Sequence, residues 1–201
     1  MSYERLTTGA TAIGIKATDG VVVAAEKRVS YGGYVVSRVG KKIFRIGDRM
    51  VIAAAGLFAD MQTLSRVLSA EVMYRELLLS SKMRVRAAAK LLSAILYSYK
   101  LMPFLSEIIF AGHDEEGFHL YVLDPIGSII EDNYAAIGTG APIAIGIIES
   151  EYKNDISLNT AVEVAIKAVK AAISRDAVSG DGIDIATVSV NGIAEKSIPI
   201  A

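Results

Sequence analysis

The feature that most constrains this fold is where the spacing of apolar residues changes period. Strand-like runs cover 11–16, 21–26, 34–36, 43–46 and 50–54. After Gly56 the spacing becomes helical: Leu57, Met61, Leu64, Val67, Leu68 and Met73 predict one helix. Val85, Ala88, Leu91, Leu92, Ile95 and Tyr99 predict a second, with the stretch at 80–83 between them. Strands return at 106–114, 118–124 and 128–132, joined by turns at 114–117 and 124–127. Helices are expected at 142–152 and 159–175, the second capped at Asn159-Thr160 with Glu163 in its first turns. A strand at 183–190, a turn at Asn191-Gly192 and a closing strand finish the chain.

Short turns such as Asp19-Gly20 pair neighbouring strands antiparallel, unlike the crossovers of a parallel α/β fold. The order is strands, two helices, strands, two helices, strands. Its simplest burial scheme stacks two sheets and covers each with a helix pair. The expected class is therefore α+β, a four-layer α/β/β/α sandwich of two antiparallel sheets. No linker, repeat or low-complexity segment divides it.

Composition excludes several functions. Of 201 residues, 52% are hydrophobic and 21% charged, which rules out a disordered chain. The longest weakly polar run, 135–148, is broken by Gly138, Gly140 and Pro142 and falls short of the roughly 20 residues a spanning helix needs. No membrane contact is expected, and the apolar content points to deep burial or large subunit contacts. The first nine residues lack the apolar core of a secretory signal, so a cytoplasmic location is expected. A net charge of −1 leaves no basic footprint for nucleic acid. With no cysteine, thiol nucleophiles and thiolate metal sites are absent. His113 and His119 match no zinc spacing and read as surface or strand-face residues; no metal or cofactor is expected.

Several motifs, in order and over nearly the whole chain, resemble the β-type subunits of the 20S proteasome, especially those of archaea. They are Gly9 followed by ATAIGI, AAEKRVS at 24–30, GKKIF at 40–44, AAAGLFAD at 53–60, YAAIGTGAPIAIGIIESEY at 134–152 and RDAVSGDGIDIA at 175–186. The resemblance implies the N-terminal nucleophile hydrolase fold. It also implies a propeptide-like segment at 1–9 and one β-type domain at 10–201. In that family a precursor is cut after the glycine, and the freed threonine attacks peptide bonds. A threonine hydroxyl needs a base, which a free α-amine of pKa about 7.7–8 supplies. A buried lysine adds positive potential that keeps the amine neutral and stabilises a developing alkoxide.

Carried over by motif, the lysine is Lys42 and its acidic partner Glu26. Thr139 falls where the family often has serine. Asp176 and Ser179, beside Gly180, match the residues that orient the amine. Gly56 matches the oxyanion glycine, and Val29, Ala54 and Phe58 the specificity pocket. Without the resemblance, Lys42 reads as a turn lysine, Glu26 as a partner for Arg28, Asp176 as a helix-end carboxylate and Gly56 as a turn.

The register fixed by Gly14 and Glu26 puts Ala10 at the nucleophile position, next to the processing junction Gly9-Ala10. A methyl group cannot attack an amide, and losing the nucleophile of a hydrolase costs on the order of 10⁶-fold in turnover. Self-cleavage after Gly9 should fail for the same reason. Thr11 points to the opposite strand face, and Thr8 lies two residues upstream. Ala10 marks either a natural non-catalytic subunit or an engineered substitution; Ala12, which also departs from the family's threonine run, favours the first. The alternative is an active threonine protease that begins at another residue such as Thr11. The bacterial two-ring relative fits the motifs less well. The resemblance implies α subunits and other β subunits in stacked heptameric rings as partners, unfolded proteins as substrates, and a regulatory ATPase reached through the α rings.

Overall fold

A computed structural model describes residues 9–200. The first strands are β1 (Thr11–Lys16), β2 (Val21–Glu26), β3 (Val29–Tyr31), β4 (Tyr34–Ser37), β5 (Ile43–Ile46) and β6 (Met50–Gly56). Helices α1 (Phe58–Leu79) and α2 (Val85–Ser98) follow. Then come β7 (Ser106–Asp114), β8 (Gly117–Leu123), β9 (Ile129–Glu131) and β10 (Tyr134–Gly138). The chain closes with α3 (Ala141–Glu151), α4 (Leu158–Arg175), β11 (Gly182–Ser189) and β12 (Gly192–Pro199).

Two five-stranded sheets form, ordered β10-β1-β2-β11-β12 and β5-β6-β7-β8-β9, and every pairing in them is antiparallel. β3 and β4 make a separate hairpin. Three apolar layers hold the stack. One joins α1 and α2 to the second sheet through Leu64, Leu68, Leu92, Leu96 and Phe110. Another joins α3 and α4 to the first sheet through Ile13, Ile15, Ile148, Val164 and Val169. The third lies between the sheets, and half of its buried members are alanine. Small side chains there let the sheets approach closely, and Gly14 shows how closely. A Cβ on Gly14 would lie 2.7 Å from Leu120 and 2.9 Å from Ile109 of the facing sheet.

The expected α+β sandwich of two antiparallel sheets and four helices is the fold observed. Some details differ. α4 is capped by Ser157, whose Oγ accepts the Thr160 N–H at 3.3 Å, rather than at Asn159-Thr160. β3 and β10 were not legible as strands. The short β3 is irregular, with a bulge between Val29 and Ser30. β10, with two alanines at its centre, pairs with β1 and ends at Gly138. Among the described residues no helix is long and apolar enough to cross a membrane.

Candidate active site

β1 begins one residue after Ala10, and strand alternation divides its side chains between two layers. Ala10 and Ala12 lie between the sheets, in one apolar layer with Ile43 of β5 and Ala53 and Ala55 of β6. Thr11, fully buried, faces the α3/α4 side. Two polar clusters meet around this point.

Glu26 ends β2 with its side chain wholly buried and organises the first cluster. Its Oε2 accepts the N–H of Arg28 at 2.7 Å and of Gly180 at 3.0 Å. Its Oε1 accepts the Thr11 N–H at 3.3 Å and pairs with Lys42 Nζ. Lys42, 2% exposed, also donates to the Arg28 carbonyl at 2.6 Å. One carboxylate thus ties the start of β1, the turn after β2, the entry to β5 and the loop before β11. Burial pushes Glu26 above the usual carboxylate range, while attraction and hydrogen bonding from Lys42 oppose it. Burial likewise pushes Lys42 below the usual amine value, against the pull of Glu26. A lysine shifted this way gives up a proton more readily than one in water.

The second cluster is a chain of hydroxyls. Thr139 donates to Asp176 Oδ2 at 2.6 Å and its Oγ1 lies 3.3 Å from the Ala10 carbonyl oxygen. Ser179 donates to the same carboxylate oxygen at 2.7 Å. With the Ser179 proton so committed, the 2.8 Å contact between Thr11 Oγ1 and Ser179 Oγ requires Thr11 to donate. The Thr11 hydroxyl is therefore held on the face opposite Ala10.

Glycines carry the close approaches. Gly138, at φ +87°, would place a Cβ 2.1 Å from the Ala10 carbonyl oxygen. Gly56, at φ +127°, would place one 2.1 Å from the Leu105 carbonyl oxygen, so its freedom is needed for packing whatever else it does. Gly40 brings Val29 and Phe58 together: a Cβ on it would be 2.3 Å from Val29 and 3.4 Å from Phe58. Ala54 is buried in the layer against which Phe58 packs. Gly9 is buried at the head of this region, with Val178 and Thr139 nearest to it.

The structure thus gathers Ala10, Glu26, Lys42, Thr139, Asp176 and Ser179 around the start of β1. Val29 and Phe58 both lie beside Gly40, and Gly56 lies at the end of β6. Residues 1–8, most of the propeptide-like segment, fall outside the described residues. Arg28 and Asp181 were not foreseen as a pair. The Arg28 side chain bonds Asp181 at 2.8 Å and the Ala177 carbonyl at 2.9 Å, while Glu26 takes only the Arg28 backbone N–H. Arg28 thereby fixes the 176–181 loop, and the guanidinium occupies the space a Cβ on Gly180 would need. The sequence signal was only a charge on each of two distant turns. His119 is a strand-face residue on β8 and is buried there, bridging Asp114 at 3.2 Å and Glu131 at 3.0 Å. Among the described residues no group of three histidine or acidic side chains could hold a metal.

A family model described as proteasome subunit matches residues 6–188. The chain is 52% identical to "Proteasome subunit beta 2" of Pyrobaculum calidifontis over 98% of this chain and 97% of that protein. It is 53% identical to the protein of the same name from Thermofilum pendens, over 95% of this chain and 94% of that one. The chain belongs to the proteasome subunit family. Within it, the full-length match to β subunits makes the chain a β-type subunit of the 20S proteasome, a protein that assembles with other proteasome subunits.

Proposed function

We propose that this chain is a non-catalytic β subunit that builds the core particle without cutting peptide bonds itself. The particle is a threonine-type endopeptidase complex in the cytoplasm. Stacked heptameric rings of α and β subunits enclose the chamber, and unfolded proteins arrive through the α rings from a regulatory ATPase. Residues 10–201 form the single β-type domain, and residues 1–9 remain attached as a propeptide-like segment.

The observation that carries this reading is the alanine at position 10; carried over by motif, this is the nucleophile position, so a methyl group stands where the reaction needs a hydroxyl. The rest of the machinery is assigned by position. Lys42 supplies the positive potential, Glu26 partners it, and Thr139, Asp176 and Ser179 orient the N-terminal amine. Gly56 serves the oxyanion, and Val29, Ala54 and Phe58 line the pocket. Activity through Thr11 has geometry against it. That hydroxyl is a donor to Ser179 on the far strand face, so it would have to cross the strand to reach a bound peptide.

The test is a particle assembled from α subunits and this β chain alone, assayed on short fluorogenic peptides beside its A10T counterpart. The reading predicts no hydrolysis above background for the chain as it stands and turnover for A10T. Comparable turnover from both would refute it.

A further inference from the structure

One carboxylate beside Ala10 has no part in the two polar clusters. Glu107, the second residue of β7, is exposed and stands in register with Ala55, next to Gly56. Its Oε2 accepts the Gly138 N–H at 2.8 Å. Gly138 in turn pairs with Thr11 and lies against the Ala10 carbonyl. No lysine, arginine or histidine pairs with Glu107 among the described residues, and its Oε1 accepts no hydrogen bond there. Asp176, bonded by Thr139, puts a second negative charge on this side of Ala10. The buried cation of the site, Lys42, is already paired with Glu26.

Both sheets set Glu107 on one side of Ala10 and the pocket residues on the other. In the first sheet, β10, which ends at Gly138, and β2, which leads into Val29, flank β1 on opposite sides. In the second, β7 with Glu107 and β5, entered through Gly40, flank β6 on opposite sides. A peptide laid across position 10 therefore runs from Val29 and Phe58 towards Gly138 and Glu107. With the pocket holding the side chain before the scissile bond, the segment released as the amine lies beside Glu107. We propose that Glu107 is a specificity-determining residue, favouring peptides with lysine or arginine just after the scissile bond and disfavouring those with a carboxylate there. Resting on the assignment of position 10 and the pocket made above, Glu107 adds a substrate class to that site.

Ala10 leaves nothing to cut with, so the preference is read in full-length A10T chains assembled with α subunits, with sedimentation scoring particle formation. The probes are internally quenched octapeptides that differ only in carrying lysine, glutamine or glutamate directly after a single leucine, and mass analysis of the products maps the bond cut. The lysine peptide should exceed the glutamine peptide by about 2–5-fold in kcat/KM, the range of an exposed ion pair, with the glutamate peptide below both. The spread should narrow as added salt screens the exposed carboxylate. E107Q, whose amide oxygen still accepts the Gly138 N–H, should bring the three peptides together, and E107K should reverse their order. Cleavage after leucine with no spread at low salt, or a spread that both substitutions leave unchanged, overturns the role of Glu107 and leaves the subunit reading in place. A10T particles that cut none of the peptides overturn both this role and the assignment of position 10.

Discussion

Replacing Glu26 by alanine is the sharpest perturbation of the candidate site. It removes a buried acceptor for three backbone N–H groups and the Lys42 ammonium, drawn from four segments of the chain. Breaking a buried ion pair from one side typically costs about 3–5 kcal/mol, because the remaining charge stays buried without compensation. Each N–H left unsatisfied adds up to about 1–3 kcal/mol, and relaxation makes the sum smaller than its parts. A loss of about 4–6 kcal/mol is therefore expected for E26A, a large share of the roughly 5–15 kcal/mol a domain holds. In a chain of this size that lowers the thermal midpoint by about 8–24 °C. Urea unfolding of the unsubstituted chain, E26A, K42M and the E26A/K42M double variant completes the cycle. The double variant should recover part of the loss, since removing Lys42 relieves the stranded charge. A loss below about 1 kcal/mol for E26A, or strict additivity of the two substitutions, would refute the claim that this carboxylate organises the fold here.

Three further outcomes are expected. G138A forces a Cβ onto a left-handed backbone position 2.1 Å from the Ala10 carbonyl oxygen and should cost about 2–4 kcal/mol in urea unfolding. T11V keeps the side-chain shape but removes the donor to Ser179; a loss of about 1–2 kcal/mol is expected by the same measurement. Burial pushes the Asp114 carboxyl up, but the N–H groups of Val85 and Glu116, together with His119, outweigh it and hold the group below the usual carboxylate range. Its contribution is therefore present above the unfolded value of about 3.9 and is lost as pH falls through the lower folded value. Thermal midpoints of the unsubstituted chain and D114A should differ at pH 6 and converge as pH falls below about 3.9; a gap that is constant or widens with acid would contradict this.

The sandwich was legible because its hairpins announce themselves. β1, β2, β5 and β7 begin and end where alternation and turn residues put them. What was not legible depended on neighbours. β10 reads as a weakly polar run, and only its pairing with β1 makes it a strand. Val67, Met73 and Tyr99 keep helical spacing yet are exposed, since periodicity finds a stripe but not its width. At the site, motif order located the residues, whereas their contacts span up to 168 positions, as between Thr11 and Ser179. No spacing rule reaches that far. The same limit hid the pairing of Arg28 with Asp181, which alternation alone left as a partner for Glu26.

The central claim is that a chain with Ala10 cannot process itself or cut peptides. Its most direct test is the intact mass of the β chain in a particle made only of α subunits and this β chain. The account predicts that residues 1–9 stay attached through Gly9, while the A10T counterpart loses them. An unsubstituted chain in that particle that begins at Ala10 or Thr11 would contradict it.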